Sequence, residues 1–322
     1  MKRREFITLL GGAAAWPLGA RAQQPSRTSR IGLMGNLPLR PIESFRRALQ
    51  QMGYVEKRNL VIEYRFAEGR DERYPGFASE LVALPVDVIV TWGTPAAFAA
   101  RQATTQIPIV LGAIGDVVNT GVVSNLAHPG GNITGFIALN VELEEKRLEL
   151  LKEVVPRLSR VAVLGNSRNP LNRVNLDTAR TAAQRLSVAV ESFEVQSSQD
   201  VEGALRTITQ AAPDAVLLAS DTSLLSERKQ IVDAMAASRI PAIYPFREYA
   251  DVGGFCVYGA NLSILFARAA SYVDRILKGE KPADLPVQQA TAFEILINLK
   301  AAAGLGLTLP ASVLVRVDEV IE

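Results

Sequence analysis

Apolar positions along this chain alternate between two spacings. Runs rich in aliphatic residues at Ile31–Gly35, Leu60–Phe66, Val86–Thr91 and Ile107–Leu111 read as strands. Between them, Glu43 to Met52 brings Phe45, Ala48, Leu49 and Met52 onto one helical face and stops at Gly53, which suits a left-handed C-cap. Tyr74 to Leu84 repeats that helical pattern before the Val86 run. Continuously apolar strands separated by amphipathic helices predict a parallel sheet covered on both faces.

The alternation then begins again. Arg160-Val-Ala-Val-Leu-Gly-Asn166 echoes Arg30-Ile-Gly-Leu-Met-Gly-Asn36, Asp214-Ala-Val-Leu-Leu-Ala-Ser-Asp221 echoes Asp87-Val-Ile-Val-Thr-Trp-Gly93, and Ile240-Pro-Ala-Ile-Tyr244 echoes Ile107-Pro-Ile-Val110. The three pairs keep their order at offsets of about 130 residues. The predicted fold is α/β: two similar doubly wound lobes, the second beginning near Asn140, with ligand-facing strand ends meeting across one cleft.

Composition narrows the chemistry. The 322 residues are 48% hydrophobic, which provides a sizeable core and argues against disorder. Met1-Lys-Arg-Arg-Glu-Phe-Ile7, the apolar run to Leu18 and Ala20-Arg-Ala22 have the form of a secretory signal, cleaved after Ala22. The pair Arg3-Arg4 followed by x-Phe-Ile resembles a twin-arginine export signal. About 14 moderately apolar residues are too few to span a bilayer. That segment holds Lys2, Arg3, Arg4 and Arg21 against Glu5, leaving 31 basic and 32 acidic residues in the rest of the chain. The slight basicity therefore belongs to the export tag, and nucleic-acid binding is not expected. A single cysteine, Cys256, and a single histidine, His128, leave no basis for a disulfide framework or a metal centre. Gly32-Leu-Met-Gly-Asn36 lacks the dinucleotide fingerprint, and no nucleophile elbow or Walker loop appears, so a Rossmann-like enzyme is the weaker alternative.

Several ordered blocks carry a family resemblance: Gly53-Tyr-Val-Glu-Lys-Arg-Asn-Leu-Val-Ile-Glu-Tyr-Arg65, Gly93-Thr-Pro-Ala-Ala97, His128-Pro-Gly-Gly-Asn-Ile-Thr-Gly135, Lys146-Arg-Leu-Glu-Leu-Leu151, Pro241-Ala-Ile-Tyr-Pro-Phe-Arg-Glu248, Tyr272-Val-Asp-Arg-Ile-Leu-Lys-Gly279 and Pro282-Ala-Asp-Leu-Pro-Val287. From Arg30 to Glu322 the chain resembles the ABC-transporter substrate-binding proteins related to tryptophan- and tyrosine-binding members. That resemblance implies the type I periplasmic binding protein fold, two Rossmann-like lobes joined by three crossovers. The helix Leu262 to Lys278 returns to the first lobe, Pro286 to Ala290 crosses back, and hinges fall near Phe136–Asn140, Tyr258–Asn261 and Val287–Thr291. The implied division is a signal peptide at 1–22, a first lobe of 28–138 plus 259–288, and a second of 139–258 plus 289–322. Glycines 253, 254 and 259 are expected to free the backbone of the second crossing. The implied activity is capture of a small solute for a membrane permease and its cytoplasmic ATPase by a periplasmic, monomeric protein, with no catalysis, cofactor or metal. A periplasmic sensor presenting its bound state to a receptor is the alternative output.

Open α/β sheets place ligands at the C-terminal ends of their strands. Thr94-Pro95-Ala96 has the form of a helix start, with Thr94 as cap and the amides of Ala96 and Ala97 free to hold a carboxylate. Asp116 and Asp221 stand at strand ends, one on each lobe, where each can meet an amine or cap the next helix. Asn36 and Asn166 can orient polar groups or form turns. Tyr244, Tyr258, Phe246 and Trp92 are candidate aromatic walls or core residues. Asn36-Leu-Pro-Leu-Arg-Pro-Ile-Glu43 departs from the Ser-His pattern of the aromatic-amino-acid binders, with Arg40 and Glu43 as replacements.

Overall fold

The computed structural model describes residues 28–37, 40–138 and 140–322, so the export signal lies outside the described residues. The chain runs β1 (Ser29–Gly35), α1 (Arg40–Gln51), β2 (Leu60–Phe66), α2 (Tyr74–Ala83), β3 (Val88–Trp92), α3 (Thr94–Ala103), β4 (Ile109–Ile114) and β5 (Ile133–Ile137). It continues through α4 (Asn140–Val154), β6 (Arg160–Asn166), α5 (Pro170–Arg185), β7 (Ala189–Val195), α6 (Val201–Ala211), β8 (Ala215–Leu218), α7 (Arg228–Ala237), β9 (Ala242–Tyr244), α8 (Arg247–Ala250) and β10 (Cys256–Ala260). The last part comprises α9 (Leu262–Leu277), β11 (Gln288–Gln289), β12 (Phe293–Asn298), α10 (Leu299–Gly304), α11 (Ala311–Leu314) and β13 (Glu319–Ile321).

These strands form two sheets, ordered β11-β5-β4-β3-β1-β2 and β13-β12-β10-β9-β8-β6-β7. Every pairing in the first is parallel, and in the second only β10–β12 is antiparallel. Both sheets carry the 2-1-3-4-5 order of a doubly wound unit, with the switch point beside the first strand of each. Each sheet is buried on two faces. One face of the first packs Ile31, Leu33, Val88 and Trp92 under α1 and α9, while Ile89, Ile109 and Leu111 face α2 and α3. In the second sheet Leu164, Val216, Tyr244 and Val257 face α6 and α7, and Val163, Leu217, Ile243 and Cys256 face α4 and α5.

Local chemistry sets the boundaries. Gly53 at φ 94° follows α1. Asn169, Asn261 and Asn298 each precede a helix and accept from an amide of its first turn, Leu171, Ile264 and Ala301 respectively. Helix α9 returns to the first sheet, where Phe266, Ala269, Ala270 and Val273 join Phe45 and Leu49 of α1. The chain therefore passes between sheets after β5, between β10 and α9, and between β11 and β12.

The sequence-based division needs two corrections. A boundary at 258/259 cuts β10, whose Gly259 and Ala260 still pair with Glu294 and Phe293 in the second sheet. A boundary at 288/289 cuts β11, whose two residues both pair with β5 in the first. Gly259 is also no source of hinge freedom: a Cβ there would lie 2.1 Å from the Pro245 carbonyl oxygen, so it is needed for close backbone approach. Gly253, at φ 96°, does require the left-handed region.

One ion pair fastens the second lobe to its crossings. Arg147 and Glu144 of α4 are 0% and 1% exposed and bond through Nη1 and Oε1 at 2.9 Å. Arg147 also donates from Nε to the Tyr258 carbonyl (2.7 Å) and from Nη1 to Ser220 Oγ (3.1 Å), while Glu144 Oε1 accepts from the Ser220 amide (3.1 Å). Burial pushes the Glu144 carboxyl up, and the Arg147 charge opposes it. Arg147→Met should cost about 3–5 kcal/mol, because it leaves a buried carboxylate unpaired. Adding Glu144→Leu should return part of that loss, as read by urea unfolding; a double variant no more stable than the single would show that the pair is not the source.

Candidate functional site: the cleft between the two sheets

The C-terminal ends of the central strands of both sheets meet. Their walls comprise Trp92, Gly93 and Thr94 after β3, Gly115 after β4, Ser220 and Thr222 after β8, and Phe246 after β9. The void between them is about 20 Å³, room for a single water and not for an amino acid, so a solute of that size requires the lobes to part. Trp92 forms an aromatic floor on the first lobe, edge-on to Phe266 at 5.6 Å and tilted to Phe66 at 6.1 Å. Its ring lies where a Cβ on Gly35 would be, 2.1 Å away, and its Nε1 has no hydrogen-bond partner among the described residues.

The lobes touch through polar side chains. Asn36, at the end of β1, donates to the Thr222 carbonyl and to Ser226 Oγ (3.1 Å), and its Oδ1 accepts from the Gly69 amide. Asp71, in the helical turn after β2, accepts from Ser223 Oγ at 2.6 Å and from Asn166 Nδ2 at 3.4 Å. Asp221 is buried and accepts from the amides of Ser223 (2.7 Å) and Leu224 (3.0 Å) and from Asn169 Nδ2 (2.7 Å). Arg40 reaches Asp251, the residue after α8, at 3.1 Å on the surface.

The two carboxylates shape the electrostatics. Burial, and then the charge of Asp221, push the Asp71 carboxyl up to about 6, against its bonds to Ser223 and Asn166. Burial likewise raises Asp221. A group whose value rises on contact stabilises the contact at low pH, so this junction is strongest below the ordinary carboxylate range and weakens as pH climbs through about 6.

Of the residues singled out from sequence, Asn36, Thr94, Asn166 and Asp221 gather at this junction. Thr94 is not a cap. Gly93, at φ 80°, holds the cap position, Thr94 starts the helix, and the Ala97 amide already donates to the Gly93 carbonyl at 3.2 Å. Pro95 has no amide, which leaves those of Thr94 and Ala96 as the first-turn donors. The Ala96 side chain packs inside the first lobe. Asp116 closes its own loop, accepting from the amides of Val118 (3.2 Å) and Asn119 (2.9 Å). Tyr244 is core, stacked on Tyr249 at 4.8 Å and 9°. Tyr258 alternates to the opposite sheet face from Val257 and packs with the α4–α5 layer. Glu43 pairs with Arg46 along α1. Asp71 was missed, because Glu68-Gly-Arg-Asp-Glu-Arg73 reads as a solvated charged turn; its place at the end of a strand was the available signal.

Residues 39–321 match the family described as ABC transporter substrate binding protein. The chain belongs to that family. Members of this family bind small solutes and work with an ABC permease and ATPase, typically outside the cytoplasm; they are not enzymes. A tyrosine-binding protein of Clostridioides difficile (strain R20291) is 26% identical over 259 residues, 80% of this chain and 73% of that protein. Among solved structures, a conserved domain protein from Vibrio cholerae superposes with a TM-score of 0.85 at 27% identity, covering 91% of this chain and 100% of that one. An ABC domain from Streptococcus pneumoniae in complex with L-Trp gives 0.82 at 27% identity, covering 90% and 100%. The fold of this substrate-binding protein is thus the type I periplasmic binding protein fold.

A Cβ on Gly115 would stand 2.2 Å from Leu171 Cδ2, across the cleft. Gly115→Val should therefore hold the lobes apart while leaving each lobe's core intact. The expected readout is a larger radius of gyration by small-angle scattering, with a thermal midpoint within about 4 °C of wild type. An unchanged radius would show that this contact does not limit closure.

Proposed function

We propose that this substrate-binding protein is the periplasmic, monomeric solute-capturing component of an ABC importer, exported with cleavage after Ala22, and that its solute is a small zwitterion, an aromatic amino acid or a close relative. The observation that carries the reading is the cleft itself: an aromatic floor at Trp92, Phe246 opposite, and a rim of polar groups that join the lobes only through side chains. Neutral bonds of this kind contribute about 0.5–1.5 kcal/mol each and bonds to a charged carboxylate about 1.5–3 kcal/mol, so a solute that supplies its own can displace them. The aromatic surface fits an aromatic side chain, and the first-turn amides of Thr94 and Ala96 lie at the positive end of α3, where a carboxylate is stabilised. A tyrosine-binding relative and a relative crystallised with L-Trp support the same solute class. We place the hinges at the three passages between sheets, near Ala138, at Asn261 and at 290–292.

Titration calorimetry with L-tyrosine and L-tryptophan should show saturable binding, accompanied by compaction in small-angle scattering. Heat without compaction would separate solute binding from lobe closure, and no heat with either amino acid would remove the aromatic solute class. Replacing Arg3 and Arg4 together by lysine should abolish periplasmic accumulation; unchanged yield would reject the twin-arginine route.

A further inference from the structure

The second lobe holds a cavity of its own. It measures about 470 Å³ in the same structure in which the cleft leaves about 20 Å³, and the two share no lining residue. It sits where the helical layers of the second sheet part: Val232 and Met235 of α7 belong to one layer, and Ala301 and Leu305, in and just after α10, to the other. Ile240 and Ala242 at the start of β9 form its back, with Phe255 just before β10. The Phe255 carbonyl accepts from the amide of Asn298, the last residue of the antiparallel β12, at 2.9 Å. These are the N-terminal ends of the parallel strands, opposite the ends that meet the other lobe. Three polar groups interrupt the apolar wall, and each can donate. Asn298 is 9% exposed; its Oδ1 accepts from the Ala301 amide at 2.8 Å, and its Nδ2 has no hydrogen-bond partner among the described residues. Tyr244 is 1% exposed, and its hydroxyl likewise has none. Lys300 stands exposed at the mouth without an ion-pair partner among the described residues. No acidic side chain lines the cavity.

We propose that this cavity is a second binding site, for a monocarboxylate with an apolar body such as a medium-chain fatty acid. Asn298 and Lys300, at the start of α10, take the carboxylate, and the body lies along Met235, Phe255 and Tyr244. The charge is complementary, one cation and no acid, and an ionised carboxylate only accepts where the free groups of the wall can donate. A buried amide without a partner costs free energy that a bound acceptor removes. Apolar walls with a few converging polar groups are the usual make-up of a small-molecule site. Size agrees: an apolar cavity of about 150 Å³ holds benzene, so this one accommodates a body of about ten carbon atoms. Bound there, the ligand bridges α7 and α10 and leaves the cleft to the solute, so the inference is independent of what the cleft binds.

The probes are decanoate and decylamine, which share an alkyl body and carry opposite charges, each used below its micelle concentration. Calorimetry should show saturable decanoate binding that also raises the thermal midpoint, with decylamine weaker by about tenfold or more. Asn298→Asp keeps the acceptor that caps α10 and replaces the free donor by a negative charge; it should weaken decanoate about 10- to 150-fold. Lys300→Gln, at an exposed position, should cost up to about fivefold. A Cβ on Gly304 meets nothing within 4 Å, so Gly304→Trp fills the mouth without displacing a neighbour, and Ala236→Trp fills it from α7. Each should abolish decanoate binding while its thermal midpoint stays within about 4 °C of wild type. The proposal is overturned if decanoate gives no saturable heat, if decylamine binds as tightly, or if both filled variants fold and still bind decanoate. Should the filled variants unfold, Asn298→Asp decides, and decanoate affinity within about twofold of wild type overturns the proposal. A dimer in light scattering that Gly304→Trp dissolves overturns it in favour of a second copy of this chain.

Discussion

A guanidinium withdrawn from water must look for hydrogen-bond partners inside the protein, and Arg147, whose Nη2 has none among the described residues, finds them through Nε and Nη1 on three separate segments. It binds Glu144 one turn earlier on α4, the Ser220 hydroxyl at the end of β8, and the Tyr258 carbonyl within β10. Helix α4 is the first element after one passage between the lobes, and β10 is the last before another. The pair therefore fixes where two of the three connections leave the second lobe. Helix α9 does the corresponding work on the first lobe, burying Phe266 and Val273 against α1 immediately beyond the β10 passage. Both ends of that passage are thereby anchored to the core of a lobe.

That frame explains why the contacts inside the cleft are of a different kind. Within a lobe, strands are joined by backbone ladders and by cores closed to water. Between lobes the described bonds all involve side chains: Asn36 to Thr222 and Ser226, Asp71 to Ser223 and Asn166, Arg40 to Asp251. The exposed Arg40 pair contributes about 0–1 kcal/mol, the neutral bonds about 0.5–1.5 kcal/mol each, and those accepted by a charged Asp71 about 1.5–3 kcal/mol each. A junction of this strength sits near balance, which a binding protein needs if a solute is to decide between open and closed.

The two lobes and their parallel strands were legible because burial on both faces leaves a continuous apolar signature in every central strand, and because Arg30–Asn36 and Arg160–Asn166 repeat it. Asn36 and Asn166 could be placed at the cleft by the same logic, since a strand end is a topological position. What the sequence could not yield was direction. Asp116 and Asp221 each follow the C-terminal end of a central strand, yet Asp116 folds back onto the amides of Val118 and Asn119 and Asp221 is buried at the junction. Tyr244 and Tyr258 both follow strand alternation into a core, and only the packed structure says which face is the cleft. Asp71 lay hidden for the opposite reason. Its charged surroundings suggest solvent, and the Ser223 hydroxyl that bonds it comes from the other lobe, more than a hundred residues away.

The steric fit of the cleft is asymmetric in a way that bears on how closure is aimed. The first lobe offers glycines and the second offers side chains. Cβ atoms built on Gly69, Gly93 and Gly115 would meet Ser226 at 3.0 Å, Thr222 at 2.5 Å and Leu171 at 2.2 Å, all across the junction. Two of these glycines, Gly69 and Gly93, also stand at positive φ, so the same residues that turn the chain out of the sheet create the hollows. Three hollows on one rigid body and three projections on the other define a single seating. In this seating Asp71 bonds Ser223 while Thr222 lies against Gly93. Shape fixes how the lobes seat, and the polar side chains bond across that seating.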